Sequence, residues 1–341
     1  MRYSNRTLLT NPVEGTKREM EDDIWTVKRI LDWIEGYLGQ HGDENPRVSA
    51  QWLVSEVLGV SRMQLFLDAE RPLTADERAV LRDWTRRRGT GEPLQYITGQ
   101  AAFRHITVKV RPGVLIPRPE TEVLVSEALA LLPAAPKPQD ALDAELLRHY
   151  AELTSEKLEE GASIEAPPTL LVADICTGTG CIACSIAAEH PHTHVIATDI
   201  SPAAVALARE NVAALGLAER VDVLECDLAE GIGEPLLGSL DLVVSNPPYV
   251  PTGVLADIPG EVAEFEPALA LDGGPDGLSV YRRLIDWCAT SLKPGGAFAF
   301  ELHETCLDDA AAEAEYAGFA DVRIVQDLAG RPRVLTGRKR T

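Results

Sequence analysis

The sequence has few basic residues for its acidic content, and this shortage limits the partners that the protein can bind. Lys and Arg number 32 against 53 Asp and Glu, which gives a formal net charge of −21. Residues 92–341 hold most of the excess, with 18 basic and 38 acidic residues, whereas residues 1–91 are nearly neutral with 14 and 15. Nucleic acids are bound largely through Lys and Arg that neutralise phosphates. The charge therefore disfavours direct binding of DNA or RNA and suits a basic protein partner better.

The six cysteines are scattered and lack the spacing of a metal or disulfide framework. Cys181 and Cys184 form a C-x-x-C pair, but no second pair or histidine follows at ligand spacing, so we expect free thiols and no metal site. His303 and Glu304 also lack the H-E-x-x-H spacing of zinc proteases. No apolar run suits a membrane span or a signal peptide. We therefore expect a cytoplasmic protein without membrane contact.

A glycine-containing turn follows an apolar segment, 170–175, that predicts a buried strand. A helix is expected after the turn, over 181–189, and its N-terminus would offer unpaired N–H groups to a ligand. The pattern predicts a nucleotide-type cofactor site. It also fits the G-x-G-x-x-A fingerprint, so an NAD-dependent dehydrogenase is an alternative. No Gly-Lys-Ser/Thr follows the turn, which argues against a loop that binds a nucleoside triphosphate. The turn comprises Cys176, Thr177, Gly178, Thr179 and Gly180.

Acidic residues close three successive predicted strands. Asp174 lies at the end of the first, Asp199 follows the run 194–198, and Asp227 follows the run 221–226. Open parallel sheets bind ligands at the carboxyl ends of their strands, so these acids are expected near one edge, with Asp199 placed to accept both hydroxyls of a ribose. Each acid alone is also compatible with an ordinary loop or N-cap position.

A fourth predicted strand, 240–245, ends in Asn246-Pro247-Pro248-Tyr249. The Asn246 side-chain oxygen and the Pro247 carbonyl are acceptors that together could take both N–H groups of a planar NH2 group. The two prolines restrict the backbone and would hold these acceptors in a set direction, while Tyr249 offers a flat face to the substrate. The pattern indicates methyl transfer to an sp² amino nitrogen, and a rigid strand-ending turn is its simpler alternative.

Amphipathic helices dominate the N-terminal part of the chain. Apolar spacing predicts helices over 25–38, 49–58 and 74–87, the last opening with a capping box formed by Thr74 and Glu77. We expect disorder over 1–21, a small helical domain over 22–91 and a linking β-hairpin over 92–113. The helical domain is expected to dock a protein substrate, and a cover for the main sheet is its alternative role. Alternating apolar residues over 103–110 support that hairpin.

Residues 114–341 are expected to form an α/β catalytic domain with a seven-stranded, Rossmann-like mixed sheet. The segment 294–296 predicts a turn before the fifth strand. Residues 134–168, rich in Pro, Ala and Glu, are predicted to be an insertion without catalytic parts, with a solvated helix over 141–160. The remaining strands are predicted over 297–302, 320–325 and 332–336, and the covering helices over 201–215, 278–292 and 305–317.

Longer motifs resemble the N5-glutamine methyltransferases that modify peptide chain release factors, within the class I S-adenosylmethionine-dependent methyltransferases. The resemblance covers roughly residues 25–133 and 169–338. The Asn-Pro-Pro-Tyr tetrapeptide is shared with DNA adenine methyltransferases, whereas the run from Leu115 to Glu122 is more selective. The matching segments are Gly91 to Gly99, Val114 to Glu122, Asn246 to Tyr249, Asp276-Gly277-Leu278 with Tyr281-Arg282, and Asp327 to Arg333.

The resemblance implies a class I methyltransferase fold, S-adenosylmethionine as methyl donor and the glutamine of the Gly-Gly-Gln motif in class 1 release factors as substrate. It implies that Asn246 and Pro247 hold the substrate amide, with Pro248, Tyr249 and Phe103 near it. Leu228 stands where some relatives place an aromatic residue near the adenine. A nucleobase amino methyltransferase acting on DNA or RNA is the alternative. The expected cofactor contacts are Cys176, Thr177, Gly178, Thr179, Gly180, Asp199, Asp227, Leu228 and Asn246.

Overall fold

The computed structural model describes residues 24–134, 169–258 and 260–341. The chain divides into two compact units, one ending at Leu94 and the other beginning at Gln95. The predicted disorder over 1–21 and the predicted helix over 141–160 lie outside the described residues. In the parts of the chain that the structure describes, no helix is both long and apolar enough to cross a membrane.

The first unit consists of short helices that bury their apolar faces. Helix α4 begins with the predicted capping box, in which the Thr74 hydroxyl accepts from the Glu77 N–H at 3.2 Å and the Glu77 carboxylate accepts from the Thr74 N–H at 2.8 Å. The three predicted helices are confirmed within a few residues, and α3 is an addition too short to show a period. The helices are α1 (Val27–Gln40), α2 (Pro46–Leu58), α3 (Arg62–Leu67) and α4 (Ala75–Arg88).

The second unit contains the predicted seven-stranded mixed sheet, with strand order β5-β4-β3-β6-β7-β9-β8. All neighbouring strands are parallel except those that pair with β9. The strands are β3 (Leu170–Ile175), β4 (Thr193–Asp199), β5 (Val221–Glu225), β6 (Leu240–Ser245), β7 (Leu292–Glu301), β8 (Phe319–Gln326) and β9 (Pro332–Lys339).

Helices cover both faces of this sheet. Side chains of β3 alternate between two apolar clusters, with Val172 in one and Ala173 in the other, and every residue of β6 is buried, as expected for central parallel strands. The helices are α5 (Leu94–Thr98), which spans the boundary between the units, α6 (Thr121–Leu131), α7 (Cys181–Glu189), α8 (Pro202–Ala214), α9 (Gly260–Phe265), α10 (Ser279–Ser291) and α11 (Leu307–Tyr316), with short 3₁₀ turns at Glu234–Leu236, Thr252–Asp257 and Ala268–Ala270.

The register of three central strands brings their carboxyl ends level. Ile175, the last residue of β3, lies opposite Thr198 of β4 and Ser245 of β6. The chain order reverses direction at β3, which makes this edge the topological switch point where open α/β sheets bind ligands. The residues that follow the three strands therefore meet at one place.

The predicted turn at 294–296 is wrong, because β7 runs through it from Leu292. Leu240 pairs with Leu292 and Leu242 with Ala297, so the extra residues of β7 form a bulge instead of a chain reversal. Gly295 adopts a φ of +79° there, and a Cβ on Gly296 would lie 2.8 Å from the Leu240 carbonyl oxygen. Gly295 and Gly296 therefore allow the backbone conformation and the close packing that this bulge requires.

The predicted β-hairpin is formed by β1 (Gln100–Phe103) and β2 (Ile106–Lys109) and belongs to the second unit. Asn211 of α8 holds it by accepting from the Lys109 N–H at 2.8 Å and donating to the Lys109 carbonyl at 3.1 Å. The same Asn211 amide donates to the Thr179 carbonyl at 2.9 Å. The hairpin and the glycine turn are therefore joined through one side chain.

Arg104, in the hairpin turn, is a structural anchor. Its guanidinium makes a bidentate pair with Glu189, at 2.6 and 2.7 Å, and donates to the Glu122 carbonyl at 2.8 Å. Both partners of the ion pair are largely buried, with side-chain exposures of 14% and 18%. The pair joins the hairpin to α7, whereas the contact with Glu122 joins it to α6.

We expect Arg104→Ala to lower the free energy of unfolding by about 1–3 kcal/mol, because it leaves a largely buried carboxylate without its partner. Arg111→Ala is the matched control, since Arg111 makes a bidentate pair with Glu210 that is exposed on both sides. That change should cost clearly less, because solvent screens an exposed pair. Chemical denaturation of both variants measures the difference, and equal losses would contradict the anchoring role.

Candidate active site

A cavity of about 290 Å³ opens at the edge where β3, β4 and β6 end. The structure places most of the predicted site residues along its wall, together with the segment 113–118, Thr121 and Arg283. Four predicted residues, Gly180, Pro247, Tyr249 and Phe103, are not part of the wall. The predicted residues that line it are Cys176, Thr177, Gly178, Thr179, Asp199, Asp227, Leu228, Asn246 and Pro248.

The glycine turn after β3 alternates left-handed residues, with φ values of +61° at Cys176, +58° at Gly178 and +79° at Gly180. A Cβ on Gly180 would lie 3.1 Å from the Ala208 Cβ, so this glycine allows α7 to pack closely on α8. A Cβ on Gly178 would meet no atom within 4 Å. Gly178 therefore exposes its backbone to open space at the cavity, where a ligand can approach it closely.

Asp174 supports this turn from beneath and does not face the cavity. It is fully buried, and its Oδ2 accepts from the Thr177 hydroxyl at 2.5 Å and from the Ala183 N–H of α7 at 3.1 Å. Burial raises the pKa of Asp174 to about 7, against the lowering effect of these two hydrogen bonds. The predicted position at the end of β3 thus holds a scaffold residue.

Asp199, at the end of β4, connects the turn to the start of α8. Its Oδ2 accepts from the Gly178 N–H and its Oδ1 from the Ser201 N–H, both at 2.9 Å. Burial raises the pKa of Asp199, while hydrogen bonds from the backbone oppose the rise. A carboxylate has about four acceptor positions, so these backbone contacts leave capacity for a ligand that carries hydroxyl groups.

Asp227 and Leu228 form the wall beyond β5. Asp227 pairs with Arg283 of α10 at 2.8 Å, and the Leu228 carbonyl accepts from the Thr198 hydroxyl at 2.6 Å. Leu228 adopts a φ of +47°, which is uncommon outside glycine. With Val280 of α10, Leu228 gives this end of the cavity an apolar surface.

Two acceptors stand open after β6. The Asn246 Nδ2 donates to the Thr121 hydroxyl at 3.1 Å, whereas the Asn246 Oδ1 accepts no hydrogen bond from the residues that the structure describes. Within the same ranges, the Pro247 carbonyl also accepts none. Asn246 borders the same cavity as Gly178 and Asp199. The geometry can therefore hold a cofactor at one end and a donor-bearing planar group at the other.

Tyr249 and Phe103 are turned away from the cavity wall. Tyr249 donates its hydroxyl to Glu301 at the end of β7, at 3.0 Å, and Phe103 is 1% exposed within an apolar cluster. Their directions depend on tertiary packing. Direct contact of either with substrate remains a prediction.

The selective motif at 114–122 supplies two residues, Arg118 and Thr121, whose roles the sequence alone does not indicate. Arg118 makes an ion pair with Glu266 at 2.5 Å, and burial raises the pKa of that carboxyl while Arg118 lowers it. Thr121 begins α6, and its hydroxyl donates to Glu301 at 2.7 Å. The motif itself was the only available signal, since its partners are distant in sequence.

Cysteines do not assemble into a site. All six are free, and Cys181 and Cys184 are buried on α7. Burial raises the pKa of both thiols to about 12. Across the described ranges, no group of three or more His, Cys, Asp or Glu residues is arranged to hold a metal ion.

Two family models match the chain, "PrmC N-terminal domain" over residues 29–99 and "Methyltransferase small domain" over residues 162–257. Among curated relatives, the "Release factor glutamine methyltransferase" of Geobacter sulfurreducens is 38% identical, over 93% of this chain and 98% of the relative. Proteins of the same name from Chlorobaculum tepidum and Mycolicibacterium smegmatis are each 37% identical. Their alignments cover 90% and 91% of this chain and 95% and 96% of those relatives.

The buried Asp174 predicts a dependence of stability on pH. Its pKa is raised from 3.8 to about 7 in the folded protein, so between these values the folded state holds a proton that the unfolded state has lost. This contribution to stability is full below about pH 4 and is lost as the pH rises through about 7. The free energy of unfolding of the wild type, minus that of Asp174→Asn, should therefore fall with pH across this window. Denaturation curves at several pH values measure it, and a flat difference would contradict a protonated Asp174.

Proposed function

The chain belongs to the release factor glutamine methyltransferase family, and on that premise we propose that it methylates the side-chain amide nitrogen (N5) of a release factor glutamine. The methyl donor is S-adenosylmethionine. The observation that supports this function most directly is the Asn246 Oδ1, an acceptor without a partner among the described residues, in a residue that borders the same cavity as Gly178 and Asp199. The next residue along the chain, Pro247, has a carbonyl that likewise accepts no hydrogen bond within those residues.

The residues around the cavity suit S-adenosylmethionine. The exposed backbone at Gly178 and the N-terminus of α7 suit its amino acid part, since helix N-termini favour carboxylates. The remaining acceptor capacity of Asp199 suits the ribose hydroxyls. Leu228 and Val280 provide an apolar surface for the adenine in place of an aromatic side chain. We propose that Cys176 to Gly180, Asp227 and Asn246 complete this contact set.

Asn246 and Pro247 suit the NH2 group of a glutamine. The amide nitrogen is a poor nucleophile because its lone pair is shared with the carbonyl. Two acceptors that take both N–H groups fix its direction and increase the electron density on nitrogen. The prolines at 247 and 248 keep the backbone rigid, so this orientation requires little ordering when the substrate binds.

Catalysis by this chain is chiefly alignment and polarisation. S-adenosylmethionine supplies, when bound, an electrophilic methyl group on a good leaving group. Asn246 and Pro247 would hold the amide nitrogen toward that methyl group, and the nitrogen gives up one N–H proton once the new bond has formed. The developing positive charge on nitrogen strengthens both hydrogen bonds to these acceptors. Their contribution is therefore larger in the transition state than in the bound ground state.

We propose class 1 release factors, through the glutamine of their Gly-Gly-Gln motif, as the substrate. Residues 92–341 carry 38 acidic and 18 basic residues, a charge that suits a basic protein surface and opposes a phosphate backbone. The helical unit that ends at Leu94 is proposed to dock the protein substrate. The cytoplasmic location remains a prediction.

Labelled S-adenosylmethionine tests the function. We expect label on the glutamine of a purified class 1 release factor, located by peptide mass spectrometry, and no label on its Gly-Gly-Ala variant. Duplex DNA in a separate reaction tests the nucleobase alternative. Label on DNA alone, or on the Gly-Gly-Ala variant to the same extent, would contradict the proposed substrate.

Variants at the two ends of the cavity should separate turnover from cofactor binding. We expect Asn246→Ala to lower kcat by about 10²-fold, the scale of losing one oriented polar group at a transition state, with only a small change in affinity for S-adenosylmethionine, to which Asn246 is one of several contacts. Asp199→Ala should chiefly weaken cofactor binding. Calorimetric titration and single-turnover rates measure the two effects. Equal loss of cofactor affinity in both variants would argue against the assigned roles.

A further inference from the structure

The Asn246 side chain can serve as an acceptor only if its amide is turned the right way. Its oxygen and nitrogen are alike in size, and rotation by half a turn would present NH2 to the substrate NH2. Donors would then face donors. A neighbouring group must therefore fix which amide atom faces the substrate. Within the described residues, the single hydrogen-bond partner of the Asn246 amide is the Thr121 hydroxyl, 3.1 Å from Nδ2.

A hydroxyl has one hydrogen, so once it donates that hydrogen to one partner it can only accept a hydrogen bond from a second partner. The Thr121 hydroxyl donates that hydrogen to Glu301 Oε2 at 2.7 Å. Its lone pairs alone are left for Asn246. Nδ2 must then face Thr121, and Oδ1 is the amide atom left for the substrate.

Glu301 is placed to keep the Thr121 hydrogen pointing away from Asn246. The Glu301 oxygens accept one hydroxyl each, from Thr121 and from Tyr249 at 3.0 Å, so both hydroxyl hydrogens point at the carboxyl group. Glu301 is 1% exposed and is not part of the cavity wall, whereas Thr121 and Asn246 border the cavity. The carboxylate thus acts from behind the wall, through Thr121.

The location of this carboxylate is costly for stability. Burial raises the pKa of Glu301, and the hydrogen bonds from Thr121 and Tyr249, with the charge of Arg333, offset only part of that effect. A buried carboxyl group that lowers stability is more expected at a functional site than elsewhere in a fold. Selecting the orientation of a reactive-site amide is a role that belongs to such a site.

We propose that Thr121 is a positioning residue for methyl transfer, whose hydroxyl, directed by Glu301, holds the Asn246 amide with Oδ1 available to the substrate. This inference rests on the proposed glutamine methyltransferase function. It adds to that function the residue that makes Asn246 an acceptor.

The test compares Thr121→Val, which removes the hydroxyl at nearly constant shape, with Thr121→Ser, which keeps it. With labelled S-adenosylmethionine and a class 1 release factor, we expect the valine variant to lower kcat by about 10-fold or more, as loss of an outer hydrogen-bond partner does in metal sites. Cofactor affinity should not change. The serine variant should recover most of the rate.

A double-mutant cycle separates positioning from general damage. In an Asn246→Ala background, Thr121→Val should cause no further loss, because the side chain that it orients is gone. Thr336→Val is the matched control, since Thr336 is fully buried in β9 and its hydroxyl has no partner among the described residues. That control should keep the wild-type rate.

The outcomes are distinct. A wild-type rate in Thr121→Val, a further loss in the Asn246→Ala background, or a loss of cofactor affinity in the valine variant would each overturn the positioning role while wild-type activity stands. A wild-type protein that transfers no label to the release factor would instead refute the proposed function itself.

Discussion

The parallel register of β3 with β4 and β6 is the constraint on which the rest of the site depends. Because Ile175 lies opposite both Thr198 and Ser245, the three strands end at the same level. The glycine turn, Asp199 and Asn246 lie at or just after these strand ends, so the strand register alone brings them together. A shift of one residue in any of these strands would turn its side chains to the other face of the sheet.

Three carboxyl groups, two of them behind the cavity wall and one, that of Asp199, within it, set the direction of neighbouring groups that face the cavity. Asp174 holds the turn through Thr177 and Ala183, and Asp199 holds Gly178. Glu301 acts in the same way on Thr121. All three carboxyl groups are buried enough that their pKa values are raised. Their hydrogen bonds fix the groups that face the cavity, which is the support that a preorganised site requires.

Local patterns were sufficient to predict the elements that carry the site. Apolar runs followed by glycine or proline predicted β3 and β6, and acids or amides at strand ends predicted Asp199 and Asn246 at one edge. The family resemblance gave the substrate and the donor. These features are readable because strand period and turn chemistry are properties of a few neighbouring residues.

Features that depend on tertiary packing were missed. Cys176 and Leu228 adopt left-handed φ values that their residue types do not indicate. The bulge in β7 replaced a predicted turn, since pairing with β6 outweighed the local signal of Pro and Gly. Thr121 and Glu301 are far apart in the chain, so no spacing rule joins them, although their hydroxyl and carboxylate lie 2.7 Å apart.

The most direct test of this account is a crystal structure of the protein with S-adenosylhomocysteine and a release factor that carries the Gly-Gly-Gln motif. The account predicts the glutamine amide nitrogen within about 2.7–3.2 Å of both Asn246 Oδ1 and Pro247 O, with the ribose hydroxyls on Asp199. A glutamine amide bound elsewhere, or an Asn246 amide whose nitrogen faces the substrate, would contradict it.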